Sequence, residues 1–246
     1  MFWVVVIGLA FLATLSGMLG LGVAFVAVPF LSLFFVDLVH QVQPLTLLLN
    51  GLTALFATLG FARSGLVDWR KALILSVVTT VSAPVGSWLT RFIPQTIILV
   101  VYFVAVSYLV YTLFRPTKAR ASDAVTENFN LALAWAVPIS ILAGFLGIGP
   151  GFLLMPTLIL VGFEPKRAAG INAFAVTPPS FSALIPHLSQ AVWDPLLTIS
   201  LLVAGAGGAF LGAQLTSLYI PGARLKRIFG VLVVIMSAYK LYTLLA

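Results

Sequence analysis

The chain contains no cysteine, which removes disulfides, thiolate metal sites and iron–sulfur clusters together. Charge is nearly as scarce. Only 8% of residues are Asp, Glu, Lys or Arg, where a soluble domain carries about a quarter, and this excludes a water-soluble globule. The six acidic residues form no cluster inside an apolar run, so a divalent-cation site lacks its oxygen ligands. His40 and His187 stand far apart, without the pattern of a haem or metal site. There is no P-loop, and 246 residues of this composition leave no room for a soluble nucleotide-binding domain. These absences predict a chain that is not an enzyme and that holds neither cofactor nor metal.

What is present is apolar: 61% of residues are hydrophobic and the mean hydropathy is +1.17. Ten apolar segments stand out, at about 1–16, 20–36, 44–62, 72–90, 95–114, 129–147, 151–163, 171–188, 196–218 and 228–246. A membrane span needs about 20 apolar residues. The fold predicted is therefore a single all-α polytopic membrane domain over 1–246, with 8–10 transmembrane or re-entrant helices. The N-terminal stretch lacks a basic region and a small-residue cleavage site, and reads as the first membrane segment.

The chain repeats itself. Gly17-Met-Leu-Gly20-Leu-Gly22, with Pro29, Leu31 and Asp37, recurs 127 residues later as Gly144-Phe-Leu-Gly147-Ile-Gly149, with Pro156, Leu158 and Glu164. Gly86 to Thr90, ending at Pro94, recurs as Gly212 to Thr216, ending at Pro221, and Asp68-Trp69 is echoed in reverse by Trp193-Asp194. Shared order and spacing predict an internal duplication: repeat 1 over 1–114, a polar linker over 115–128 and repeat 2 over 129–246.

The net charge of +7 is better read as a topology signal than as a nucleic-acid footprint, because the basic residues sit in short loops. If all ten segments alternate sides, eleven basic residues fall on one side, and only Arg91 and Lys240 fall on the other. Counting each half as four crossings gives six against seven, which is no bias. The positive-inside rule favours the first scheme. About five segments per half then place the second repeat upside down, with both termini outside the cytoplasm. The short, Pro-containing segments 20–36 and 151–163 are compatible with full crossings or with re-entrant hairpins.

The paired glycine turns, Gly20-Leu-Gly22 and Gly147-Ile-Gly149-Pro150-Gly151, end one apolar segment and begin another. Broken backbone at membrane depth is tolerated only around a cavity or a buried contact, and free helix N-termini suit an anion. Close helix packing is the simpler alternative for these glycines. Polar residues inside apolar segments come next: Thr46, Asn50 and Thr53, then Asn172, Thr177, Ser180 and Ser182. They could bond the oxygens of a bound oxyanion or simply join helices. Pro178-Pro179 must free carbonyl groups in its segment. His187 is a candidate for proton coupling, since its reference pKa lies near neutrality. Asp68-Trp69 and Trp193-Asp194 read as interfacial anchors, and Arg91 as an anion attractor or a headgroup contact.

The glycine turns leading to Pro29 and Pro156, the stretch Ala169-Gly170-Ile171-Asn172 and the run Gly65-Leu-Val-Asp68-Trp69-Arg70 together resemble the sulfite exporter TauE/SafE family, across both halves. The downstream His187 and the run Gly212 to Pro221 add to the likeness. The chain departs from the family pattern at Ile171-Asn172, where that pattern usually reads Thr-Ser, and at the reversed Trp193-Asp194. The resemblance implies a permease for sulfur-containing anions in the plasma membrane, the inner membrane of a bacterium, built as eight helices in two four-helix halves. The expected function is secondary transport of a small anion, a sulfur oxyanion or organosulfonate, by alternating access. The expected substrate-binding residues are Gly20, Gly22, Thr46, Asn50, Gly147, Gly149, Gly151, Asn172 and Thr177. The expected partners are that anion and the lipid bilayer, with no nucleic acid; the sequence leaves the oligomeric state open. Transport of a cation or neutral solute, or a non-transport role in a membrane assembly, are the alternatives.

Overall fold

A computed structural model describes residues 2–35, 37–89, 127–146, 149–185 and 191–221, with isolated positions elsewhere. Most of the expected segments 95–114 and 228–246 and of the 115–128 linker lie outside these residues, as do Arg91, Gly147 and His187.

The described residues are all-helical, with no strand. In chain order they form α1 (Phe2–Leu19), α2 (Ala24–Leu31), a π-helical turn (Leu38–Val42), α3 (Gln43–Arg63), α4 (Trp69–Leu89), α5 (Phe129–Leu146), α6 (Gly151–Leu160), α7 (Pro165–Leu184) and α8 (Pro195–Tyr219). Each matches one expected apolar segment to within a turn or two. Two are much shorter than the rest. At 1.5 Å per residue, α2 with 8 residues and α6 with 10 reach about 12 and 15 Å, half the thickness of a bilayer core. Neither crosses by itself.

The outer helices are apolar all round. In α1, Val5, Leu9 and Ala13 are buried while Trp3, Ile7 and Phe11 are exposed; in α8, Leu201 and Ala209 are buried while Leu196, Ile199 and Val203 are exposed. Large apolar side chains on an outer face belong in lipid, not water. Among the described residues three stretches, Phe2–Leu19, His40–Arg63 and Pro195–Tyr219, have the length and apolarity of membrane spans. The chain is a multi-pass membrane protein.

Small residues set the packing around α8. Thr14 of α1 lies where a Cβ on Gly212 would go, Ala10 where one on Gly208 would go, and Thr216 Oγ1 donates to the Met18 carbonyl at 2.9 Å. The Gly208-x-x-x-Gly212 pair thus lets two backbones meet, as small-residue stripes do in membranes. On its other side α8 meets α3: Gly205 faces Thr53, Ala213 faces Gly60, and Ser217 Oγ accepts from Ser64 Oγ at 2.9 Å. Residue numbers rise together in both contacts, so α1, α3 and α8 run in one direction. Against α7 they run oppositely, with Asn50 and Gly51 of α3 beside Ser180 and Phe181, and Phe61 beside Gly170. Since α1 and α3 are parallel, the chain between them returns through the turn at Gly20–Gly22 and α2.

Among the described residues carboxylates start three of the α-helices and the π-helical turn before α3. Asp37 accepts from His40 N–H at 2.9 Å before α3, and Glu164 from Arg167 N–H at 3.1 Å at the start of α7. Asp68 accepts from Lys71 N–H at 3.2 Å at α4, and Asp194 from Leu197 N–H at 3.0 Å at α8. A carboxylate satisfies free N–H groups there and complements the helix dipole. The Asp–Trp loop ends are thus helix caps as well as candidate interfacial anchors.

Asp68 also joins a charge cluster that ties the two halves together. Lys71 pairs with Asp68 and with Glu127 at the entrance to α5, and Arg167 reaches Glu127 at 3.4 Å. Partial burial pushes the Asp68 carboxyl up, but the Lys71 N–H, the Lys71 ammonium and Arg167 outweigh it and leave the pKa below the ordinary Asp value. A depressed folded-state pKa stabilises above the unfolded value, about 3.9, and that contribution is lost as pH falls through the folded value. Below about pH 4, wild type should therefore lose more melting temperature than Asp68→Asn, with the two curves converging in acid. Melting curves in detergent at stepped pH read this directly.

Candidate functional site

The two glycine breaks meet. Gly20 and Gly22 adopt φ +63° and +70°, a region open to glycine, and turn the chain sharply from α1 into α2. Gly149, Pro150 and Gly151 lead into α6. Phe25 of α2 and Phe152 of α6 then stack face to face, with ring centroids 5.0 Å apart and planes 9° from parallel. These two phenylalanines are 127 residues apart, the offset of the repeat, so each lies against its own counterpart. A Cβ on Gly151 would sit 2.9 Å from the Leu21 carbonyl oxygen, which places the second break against the first.

Two asparagines flank the junction. Asn50 of α3 lies where a Cβ on Gly22 would fall, and its Nδ2 is 2.7 Å from the position of a Cβ on Gly149, so it sits between both turns. Its Oδ1 accepts from Ala24 N–H at 2.8 Å, and its Nδ2 donates to Ser180 Oγ at 2.7 Å. Thr53, one turn along α3, accepts from Val23 N–H at 3.2 Å. Asn172 of α7 donates from Nδ2 to the Gly20 carbonyl at 2.7 Å and to the Gly151 carbonyl at 3.3 Å. Both asparagines are buried.

The two helix starts are therefore unequal. The sequence predicts unpaired N–H groups at both, but at α2 the amides of Val23 and Ala24 are taken by Thr53 and Asn50. The start of α6 has no side-chain cap. Pro150 has no N–H, and among the described residues the amides of Gly149 and Gly151 find no acceptor. Two donors at the start of α2 are thus capped, while those of Gly149 and Gly151 at the positive end of the α6 dipole stay open.

Gly20, Gly22, Asn50, Gly149, Gly151 and Asn172 are brought together; Gly147 and His187 lie outside the described residues. Thr46 and Thr177 are buried but donate within their own helices, to Gln43 and Ala173 carbonyls. Sequence reasoning did not assign the α2 caps to Thr53 and Asn50, because spacing along α3 gives their shared face and not what that face meets.

Pro179 behaves as its chemistry requires. It cannot donate to the Ala175 carbonyl four residues back, and Thr79 Oγ1 of α4 donates there instead, at 2.9 Å. Thr79 is fully buried. Thr79→Val keeps the shape and strands that carbonyl, with an expected cost of about 1–3 kcal/mol, visible as a lower melting temperature in detergent. Thr79→Ser, which retains the hydroxyl, should recover most of the loss.

Among the described residues no group of three or more His, Cys, Asp or Glu gathers to hold a metal ion.

Comparison with known proteins adds to this geometry. The profile of the family described as sulfite exporter TauE/SafE matches residues 4–240. The "Probable membrane transporter protein YdhB" of Bacillus subtilis (strain 168) is 23% identical over 221 residues, covering 87% of this chain and 90% of that protein. A "Probable membrane transporter protein" of Xylella fastidiosa (strain 9a5c) is 26% identical over 190 residues, covering 74% and 72%. The "Probable membrane transporter protein YunE" of Bacillus subtilis (strain 168) is 25% identical over 244 residues, covering 87% and 89%. No solved structure matches.

Proposed function

The chain belongs to the sulfite exporter TauE/SafE family, and from that premise we propose that it is a secondary transporter of a small sulfur oxyanion or organosulfonate in the plasma membrane. The observation that carries this reading is the junction of α2 and α6: two half-length helices meeting through Phe25 and Phe152, with uncapped amides at the start of α6. A half-helix whose N-terminus opens at membrane depth is how many secondary transporters hold an anionic group. In this reading the substrate rests on the amides of Gly149 and Gly151, within reach of Asn50 and Asn172. Gly20, Gly22 and Gly147 shape the turns, and Thr46 and Thr177 supply hydroxyls as the halves rearrange. His187 is the proton-coupling candidate.

The halves are inverted repeats in this account, with termini outside the cytoplasm. Four features support it. Helix α3 runs antiparallel to its counterpart α7, α1 runs parallel to α3, Phe25 stacks on its own counterpart, and carboxylates start the π-helical turn before α3 and helix α4 as they start α7 and α8. The halves rock about the junction, so that the site opens to one side at a time. A gradient or the substrate's own gradient drives it.

The test is thermal stability of the purified protein against sulfite, thiosulfate, sulfate, sulfoacetate, taurine, nitrate and acetate. A ligand at 100 times its Kd adds about 2.7 kcal/mol, a plain melting shift. A shift confined to sulfur anions, and lost in a folded Gly149→Leu, supports the reading. No shift with any anion turns it toward a cation, a neutral solute or an assembly role.

A further inference from the structure

Resting on that reading of the site, we infer that Asn172 selects anions that still carry a hydrogen-bond donor. The bound species then pairs a singly ionised sulfur oxyanion group with an O–H or N–H group, as a monoanion or a zwitterion, and a fully deprotonated dianion is rejected.

The side-chain amide of Asn172 has only one orientation that fits. Its Nδ2 faces the carbonyl oxygens of Gly20 at 2.7 Å and Gly151 at 3.3 Å, and a flipped amide would set oxygen against oxygen at both. Oδ1 is therefore fixed as an acceptor. It is completely buried and, among the described residues, has no hydrogen-bond partner. Native structures rarely leave such an atom unsatisfied, and the exceptions call for a reason.

Its neighbourhood supplies one. Gly151, which Asn172 touches, opens α6, and the amides of Gly149 and Gly151 have no acceptor among the described residues. The residue whose acceptor lacks a donor is thus bonded to the segment whose donors lack an acceptor. One small ligand answers both: its anionic oxygens accept from the α6 amides, and its own O–H or N–H donates to Asn172 Oδ1.

Sulfate, thiosulfate and doubly ionised sulfite present lone pairs on every side and would place one against Oδ1. Hydrogensulfite in its O-protonated form and an aminosulfonate with its ammonium both carry the missing donor. A site built to donate to or accept from a ligand group rejects the analogue that lacks it far more strongly than an apolar pocket does. Asn172 bonds to the Gly20 and Gly151 carbonyls, and neither of these residues titrates. Sulfite exchanges its second proton near neutrality, so a pH dependence of its binding comes from the ligand.

Calorimetric titration of the full chain in detergent tests this, with sulfite, sulfate, methanesulfonate and taurine at pH 6 and pH 8. Sulfite is expected to bind up to about tenfold more tightly at pH 6, the ratio of its monoanion fractions at the two pH values, about 1.4 kcal/mol. Methanesulfonate, a monoanion without a donor, should bind more weakly than sulfite at pH 6 and equally at the two pH values. Taurine binding more tightly than methanesulfonate would identify the N–H donor as sufficient. Taurine binding no more tightly would confine the selection to O–H donors. In Asn172→Leu the preference for sulfite at pH 6 should fall below twofold. If that variant does not fold, Asn172→Gln, which displaces the carbonyl by one methylene, carries the same comparison. Equal sulfite affinity at both pH values, sulfate binding as tightly as sulfite at pH 6, or a full preference surviving in the folded variant overturns this inference and leaves the transporter reading intact. No binding of any sulfur anion by folded wild type overturns both.

Discussion

Gly22→Val is expected to abolish accumulation of folded protein. The residue sits at φ +70°, where an L side chain costs about 1–3 kcal/mol and a β-branched one is a clear outlier. The added Cβ would also overlap the Asn50 carboxamide. Moving Asn50 aside breaks its bond from Ala24 N–H and leaves a buried donor unpaired, a further loss of roughly 1–3 kcal/mol. The two terms act on one turn and are coupled, so their sum sets the scale. Their sum, about 2–6 kcal/mol, reaches much of the whole stability of an ordinary domain. Size-exclusion profiles of detergent extracts read the outcome. Gly65→Ala is the control: Gly65 has φ +68° as well, but nothing lies within 4 Å of its Cβ position, so it should lose only the backbone term.

Asn50→Asp is expected to fold and to lose anion binding by about a thousandfold at pH 8. The carboxylate keeps the acceptor for Ala24 N–H. Ser180, which now accepts from Asn50 while donating to the Val176 carbonyl, can turn its hydroxyl toward the new oxygen. The helix start therefore stays capped. What changes is charge, placed between Gly22 and Gly149 where the proposed anion rests. Two like charges about 4 Å apart repel by about 4 kcal/mol at an effective dielectric constant of 20, roughly three decades in affinity. Unchanged anion affinity in Asn50→Asp would place the substrate elsewhere.

The helices were legible because lipid imposes a simple rule. A run such as 44–62 must satisfy its backbone internally, and α3 indeed covers Gln43–Arg63. The short segments were legible too, since Pro29 and Pro156 and the glycines before them interrupt the apolar pattern at matching offsets. Side-chain pairing was less so. The 127-residue offset aligns Asn50 with Thr177, yet Thr177 bonds within its own helix while Asn172, off that register, reaches Gly20 and Gly151. Duplication preserves the backbone path longer than the residues that line it, and a difference of one residue type reroutes the hydrogen bonds. Free amides were expected at both turns; Thr53 and Asn50 cap two of them at α2, while among the described residues those of Gly149 and Gly151 at α6 have no acceptor. No spacing rule contains that asymmetry, because it depends on how α3 meets α2 across 26 residues of chain.

Counterflow in proteoliposomes tests the central claim most directly. Vesicles carrying the purified protein, loaded with unlabelled sulfite, are diluted into radiolabelled sulfite at trace concentration with no ATP present. The account predicts transient accumulation of label above the level in protein-free vesicles, strongly reduced by Asn50→Asp and by folded Gly149→Leu. Label entering no faster than in protein-free vesicles for sulfite, thiosulfate and organosulfonates alike, with the wild-type protein folded and inserted, would contradict it.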